Sequence, residues 1–176
     1  MTQLTYISYA FRILARDRLF SFAYGLVGAV LFFVFFLSIR IHFHLFGGIS
    51  LTSIVSFDQS PQFLFYLSTF ALLSLFFFHC LHNLGELGIM MAVGGNRLGC
   101  IWLHSLLLLL LFLPGFLLGW ILNLSLPTPA SFSLLLEVKS ILSALFCFVV
   151  GVFVVSFPTI GLGTFIDPYK SIRRQK

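Results

Sequence analysis

The sequence predicts an all-α membrane protein with four transmembrane helices, and two observations lead to that class. The chain has 176 residues, of which 60% are apolar and 9% are charged, and its mean hydropathy is +1.10. Soluble globular proteins are about 45–50% apolar and about 25% charged. Four apolar stretches also reach the roughly 20 helical residues needed to cross a hydrocarbon core. The chain is too apolar for disorder, and its basic residues are too few and scattered for nucleic-acid binding.

The first element, residues 1–18, is predicted to be an amphipathic helix in the cytoplasmic interface. Its apolar residues recur at spacings of three or four: Leu4, Ile7, Phe11 and Leu14. Arg12 and Arg16 share another face, which would point toward lipid headgroups. The alternative is that the segment is only the flank of the first span.

The remainder, residues 19–176, is predicted to form one four-span domain. The expected spans cover residues 19–39, 62–82, 100–122 and 138–157. A connection of residues 41–61 links the first two spans, and Ser60-Pro61 is a helix start signal. Residues 158–176 are expected to form a basic cytoplasmic tail after Pro158.

Small residues in two spans predict close helix packing. Gly25 and Ala29 lie one turn apart in the first span, and Gly115 and Gly119 form a GxxxG pattern in the third. Such residues let helix backbones approach closely in a membrane, although glycines are common in membrane helices.

The positive charges predict the orientation of the chain. Eight of the ten Lys and Arg residues lie near the two termini or between spans two and three. With four spans these regions share one side of the membrane, whereas Arg40 and Lys139 lie on the other. The positive-inside rule then places both termini in the cytoplasm.

The loop of residues 83–99 is longer than a helical hairpin needs. Leu84, Leu87, Met90 and Met91 would form an apolar side, and Gly94-Gly95 would end a short helix on the cytoplasmic face. A re-entrant kink and a simple extension of span two remain as alternatives on spacing alone.

Two stretches of the sequence resemble a known family. Residues 86–97 read ELGIMMAVGGNR, and the family signature reads EIGIMRALGASR. Phe157-Pro158 followed by residues 166–173, IDPYKSIR, is similar to the family's closing pattern of Pro-Ala and then LDPVEALR. The chain thus resembles the FtsX-like, MacB-type family of ABC transporter permeases, in a minimal four-span form.

The resemblance implies a half-transporter in a bacterial inner or cytoplasmic membrane. Members form homo- or heterodimers with a second permease subunit and bind a separate cytoplasmic ABC ATPase. ATP and Mg belong to that partner, so this chain is expected to have no enzymatic activity and no cofactor. By position, the coupling helix that docks on the ATPase would contain Glu86, Gly88, Met90, Ala92, Gly94 and Arg97.

The expected function is export or extraction of an amphipathic substrate, such as a lipid, lipopeptide or hydrophobic peptide. The alternative is a non-transporting mechanotransmission or signalling subunit, in the manner of FtsX, that regulates an extracytoplasmic partner. Membrane lipids are expected partners in both cases.

This sequence departs from the family pattern at three places. Met91 stands where the family usually has Arg or Lys, and His104-Ser105 stands where an acidic residue commonly begins the third span. Residues 41–61 also replace a large extracytoplasmic domain, so the functions of such a domain are not expected of this chain.

Other candidate chemistry is weaker. His79, Cys80, His82 and His104 could approach one another as metal ligands, but a carboxylate is missing, so polar side chains at headgroup depth are the preferred interpretation. His42 and His44 could sense pH or bind a metal on the outer side, which is again the less favoured possibility. No Walker A sequence is present, so the chain is not expected to hydrolyse ATP by that machinery.

Overall fold

The computed structural model describes residues 6–46, 60–92, 96–126 and 134–163, and nearly all of them are helical. The helices are α1 (Tyr6–Arg16), α2 (Arg18–Phe46), α3 (Ser60–His82), α4 (Leu84–Ala92), α5 (Arg97–Leu124) and α6 (Leu134–Gly163). No strand occurs in these four ranges. The predicted all-α class is therefore confirmed for this part of the chain.

Four of the helices are long and apolar enough to cross a membrane. The candidate spans are Arg18–Phe43, Gln62–His82, Leu98–Leu124 and Leu134–Gly161. Each exceeds the roughly 20 residues required. The described residues thus contain four helices that are long and apolar enough to span a membrane, as predicted and as expected of an integral membrane protein.

The first long helix extends further than the sequence predicts. The predicted span stops at residue 39, where Arg40 interrupts the apolar run, but α2 continues to Phe46. The Arg40 side chain is only 12% exposed and pairs with Glu137. Because its charge is neutralised within the fold, Arg40 does not have to end the helix.

Pro158 does not end the last helix either, so the expected tail boundary at residue 158 is wrong. Helix α6 continues to Gly163 with Pro158 inside it, as Pro114 lies inside α5. A proline removes one backbone hydrogen bond, yet membrane helices tolerate it where surrounding groups compensate. The two residues after Pro158 are stabilised within the fold, because Thr159 Oγ1 donates to the Val155 carbonyl at 2.6 Å and Ile160 is fully buried. Residues 164–176, the rest of the predicted tail, lie outside the described residues.

A single residue, Asp17, separates α1 from α2. The Ser21 amide donates to the Asp17 carbonyl at 2.9 Å, and the Ser21 hydroxyl donates to the Leu14 carbonyl at 3.2 Å. These bonds join the end of α1 to the first turn of α2. Residues 6–16 of the predicted N-terminal segment thus form a separate helix directly before the first candidate span, and residues 1–5 lie outside the described residues.

The chain divides into two compact units, to both of which the four long helices contribute. The first comprises Met1–Tyr24, Leu73–Leu111 and Val150–Lys176, and the second Gly25–Leu72 and Phe112–Val149. In the second unit Phe32, Phe116 and Phe148 form a cluster with ring centroids 5.0–5.4 Å apart. Buried aromatic rings at such distances add about 0.5–1.5 kcal/mol per pair beyond their area. Part of the unusual Phe content therefore forms an internal core.

Candidate functional site: the α4 segment and the polar clusters

Helix α4 lies in the first unit, packed against the ends of two long helices. Cys100 and Ile101, near the start of α5, and Ile160, near the end of α6, form a buried apolar cluster. Three side chains of the α4 segment pack against that cluster: Leu84, Met90 and Met91. The segment is therefore held by burial of apolar surface and is more than a covalent link between helices.

The start of α4 is set by Asn83, the single residue between α3 and α4. The Asn83 amide donates to the His79 carbonyl at 3.3 Å, and its side-chain Nδ2 donates to the same oxygen at 3.1 Å. Asn83 thus caps the carbonyl end of α3, where backbone acceptors lack helical donors. Spacing alone left open whether this segment is a short helix or an extension of span two. In the structure it is a short helix that follows α3 after a one-residue break.

The residues expected to couple to an ATPase are distributed as follows. Gly88 is buried, and Met90 is half-buried in the contact with the apolar cluster. Glu86 and Ala92 belong to the α4 backbone and Arg97 opens α5, but their side chains are not among those described. Gly94 lies outside the described residues.

The side chain of residue 91 lies against an apolar surface, which suits methionine at this position. Met91 is half-buried and contacts the cluster of Cys100, Ile101 and Ile160. An Arg or Lys at this place would have to carry its charge past that apolar surface, which is costly unless the charge reaches water or a partner. Methionine instead fills irregular apolar gaps well.

A polar cluster in the first unit, separate from the apolar cluster that contacts α4, joins α3 and α5. His79, Cys80 and His104 are all buried, with His104 Nε2 3.0 Å from Cys80 Sγ and the two imidazole centroids 5.8 Å apart. The Tyr24 ring packs edge-on against His79 with centroids 5.1 Å apart. His82 is exposed, whereas His79 and His104 are buried within the protein.

This cluster satisfies buried polar groups by pairing them with one another. Within the described ranges, no group of three His, Cys, Asp or Glu side chains is arranged to hold a metal ion. His42 is buried in the second unit beside Phe65, with ring centroids 6.5 Å apart. The side chain of His44 is not described.

The predicted small-residue positions meet in the second unit. A Cβ added at Gly115 would lie 3.0 Å from the Ala29 nitrogen and 3.1 Å from the Gly25 oxygen. A Cβ added at Gly119 would lie 2.8 Å from the Phe33 nitrogen. Helices α2 and α5 therefore touch backbone to backbone along these two glycines, whereas a Cβ at Gly25 would meet nothing within 4 Å.

The second unit also contains an ionic cluster that the sequence did not single out as a site. Arg40 donates from one Nη atom to the Asn123 carbonyl at 2.7 Å and to Asn123 Oδ1 at 3.0 Å, and from the other to Glu137 Oε1 at 3.1 Å. One guanidinium thus joins α2, the last turn of α5 and the first turn of α6. A sequence signal existed, since Arg40 and Glu137 are rare charges beside apolar spans.

Comparisons of this chain with family models, with curated proteins and with solved structures gave no match.

Proposed function

We propose that the chain is the permease subunit of an ABC transporter of the FtsX-like, MacB-type family. A separate cytoplasmic ATPase would drive export or extraction of an amphipathic substrate through it. The proposal is supported by the resemblance of residues 86–97 and 157–173 to the family motifs and by four candidate spans. A second permease subunit, identical or different, would complete the transporter.

The observation that carries the proposal is the packing of α4. A coupling element must receive force from a partner and pass it to the membrane helices. Helix α4 begins one residue after α3 and buries Met90 and Met91 against the ends of α5 and α6. A push on α4 would reach three long helices through covalent and packed contacts. Ile89, 51% exposed, is one side chain through which a partner could bind α4.

The proposed role of α1 is that of an amphipathic helix in the membrane interface. Ala10 is buried against the protein, whereas Ile7 and Phe11 are exposed apolar side chains one turn apart. Arg12 and Arg16 are also exposed. A helix with exposed apolar side chains and exposed arginines suits the boundary between acyl chains and headgroups.

In the proposed orientation both termini and α4 face the cytoplasm of a bacterium. Arg12, Arg16 and Arg18 precede or open the first span, and Arg97 precedes the third. These charges follow the positive-inside rule. An ATPase in the cytoplasm would then face α4.

Co-purification with candidate ABC ATPases tests the coupling segment. We expect Glu86→Ala and Arg97→Ala to reduce the ATPase recovered with the permease by about tenfold, which corresponds to the loss of about 1.4 kcal/mol of binding free energy. Membrane insertion should be unchanged. Lys139→Ala is the matched control because this exposed residue belongs to the other unit.

The coupling assignment is wrong if both variants keep full ATPase association and activity. Reconstituted vesicles then separate the two functional classes. ATP-dependent movement of a fluorescent lipid or lipopeptide supports transport, whereas ATP hydrolysis without movement supports the mechanotransmitting alternative.

A further inference from the structure

The first unit contains an open cavity to which the proposed function assigns no ligand. It has a volume of about 510 Å³ and is lined by residues from α1 through α4: Tyr9, Arg16, Asp17, Phe20, His82, Asn83 and Ile89. Phe20 and Ile89 are more than half exposed, so the cavity opens to the surroundings. Its volume falls within the range of about 300–1,000 Å³ that is usual for small-molecule sites.

The cavity lies at the level where two candidate spans end. Arg18, beside the lining residues Arg16 and Asp17, is the first residue of one span, and His82 is the last residue of another. The ends of hydrophobic spans lie close to the polar headgroups of a bilayer. A ligand in this cavity would therefore meet headgroups on one side and acyl chains on the other.

The polar side chains of the lining favour binding of an anionic ligand. The Arg16 guanidinium, the Tyr9 hydroxyl and the His82 imidazole are hydrogen-bond donors. Among the described lining residues Asp17 is the one carboxylate, 3.8 Å from Arg16. Arg12 and Arg18, on α1 and α2, add two further positive charges to these described residues. Guanidinium groups bind phosphate oxygens through paired, charge-assisted hydrogen bonds.

The apolar part of the surroundings favours a ligand with hydrocarbon chains. The Phe20 ring packs at a tilt of 34° against the His82 ring, with centroids 5.0 Å apart, so an apolar wall borders the polar one. The neighbouring side chains of α2 are strongly exposed, Leu19 at 85% and Phe22 at 70%. Exposed apolar side chains at the edge of a polar cavity are what an acyl chain would cover.

From this geometry we propose that the cavity binds the phosphate headgroup of an anionic phospholipid. Arg16 contacts the phosphate, Tyr9 and His82 donate hydrogen bonds, and the acyl chains lie along Phe20 and the exposed side of α2. The site would hold the corner between α1 and α2 at the membrane surface. This proposal does not rest on the coupling function, because no ATPase takes part in it.

Binding of soluble short-chain lipids to the purified full chain in neutral detergent tests the site. The probes are dihexanoyl phosphatidylglycerol and dihexanoyl phosphatidylcholine, both below their micelle concentrations, and glycerol phosphate. We expect the phosphatidylglycerol to bind at least tenfold more tightly than the other two. High salt should weaken this binding, because the charges are largely exposed and become screened.

Arg16→Gln should reduce phosphatidylglycerol affinity by about tenfold, and Tyr9→Phe, which removes a single hydroxyl, by a smaller factor. Lys139→Gln is the charge-matched control and should bind like the unmodified chain, and thermal unfolding without lipid shows whether each variant is folded. Equal losses in Arg16→Gln and Lys139→Gln would overturn the site. Equal affinity for the two lipids would contradict the claim that the ligand has an anionic headgroup. An affinity for glycerol phosphate as high as that for the lipid would contradict the claim that the ligand is a lipid.

Discussion

At the scale of single residues, two glycines of α5 define how closely α2 and α5 pack. Gly115 and Gly119 lie one turn apart, and both face backbone atoms of α2 instead of flexible side chains. Backbone atoms cannot rotate away as a side-chain terminus can, so the space at these positions is fixed. A sequence pattern of small residues indicates that such a contact exists, but it does not identify the opposing residues.

Gly119→Ala is expected to destabilise the fold because the new Cβ would lie 2.8 Å from the Phe33 nitrogen and 3.0 Å from the Phe32 carbonyl carbon. Overpacking of this kind typically costs about 1–3 kcal/mol. Thermal unfolding of the protein in detergent measures the effect as a Tm lowered by several degrees.

Gly25→Ala is the matched control for that experiment. Both substitutions introduce a methyl group in a long helix, but the Cβ at residue 25 meets nothing within 4 Å. Its Tm should be unchanged or higher, since alanine favours the helix over glycine by up to about 1 kcal/mol. A similar loss of Tm in both variants would contradict the packing described for α2 and α5.

Arg40 shows that a charged residue after an apolar run does not have to end a helix. In the sequence it is a charged residue that ends an apolar run, whereas in the fold it binds Asn123 and Glu137 from within a continuing helix. The partners are 83 and 97 residues away in the chain. No local pattern specifies contacts over such separations.

At the scale of elements, α4 depends on apolar contacts for its position. Its glycines Gly85 and Gly88 are buried one turn apart, and Met90 and Met91 reach the apolar cluster. A helix as short as Leu84–Ala92 is only marginally stable on its own in water. Its stability must therefore come from the residues that it packs against.

Ile160→Ala should loosen α4 selectively. Ile160 is fully buried in the cluster that receives Met90 and Met91, and such truncations cost about 2–5 kcal/mol. Hydrogen exchange should become faster in residues 84–92. Val154→Ala, at a site that is 57% exposed on the same helix, should leave that exchange unchanged.

If Ile160→Ala leaves exchange in residues 84–92 at its original rate, the apolar cluster does not hold α4. The coupling proposal would then lose the observation that carries it. Faster exchange throughout α5 and α6 in this variant would instead indicate general unfolding and would contradict the selective effect.

The ends of the elements were less predictable than the elements themselves. Helix α3 ends at His82 as predicted, whereas α2 and α6 continue beyond Arg40 and Pro158. A charge or a proline is a local end signal that tertiary contacts can override. The buried pairing of Arg40 and the burial of Ile160 are such contacts.

At the scale of the whole molecule, the four candidate spans and the scarce charges predict a topology. An even number of spans returns the chain to the side on which it started, and most basic residues then share one side. Because translocating Lys and Arg near span ends is unfavourable, that side should be the cytoplasm.

Labelling of single introduced cysteines with a membrane-impermeant reagent tests this topology in intact cells. Ser125→Cys, at the end of α5, should react from outside, whereas Ser8→Cys and Asn96→Cys should react only after permeabilisation. All three positions are exposed, so accessibility reports the side of the membrane. Cys80 and Cys100 are buried and Cys147 lies within a span, which limits background labelling.

Labelling of Ser8→Cys or Asn96→Cys from outside would contradict the proposed orientation. It would also remove α4 from the reach of a cytoplasmic ATPase. The lipid site would be unaffected, because its cavity lies at the span ends whichever side they face.

The amino-acid sequence alone predicts the all-α class and four helices apolar enough to span a membrane, but it leaves a short helix between the second and third spans as one of three alternatives. These features depend on hydropathy, length and turn residues, which are local properties of the chain. The packing of the helices brings Arg40 to Asn123 and Glu137, places Gly119 against Phe33, and forms a cavity around Arg16 and His82. The reason is physical: each of these contacts joins residues far apart in sequence, so it exists only once the helices have packed.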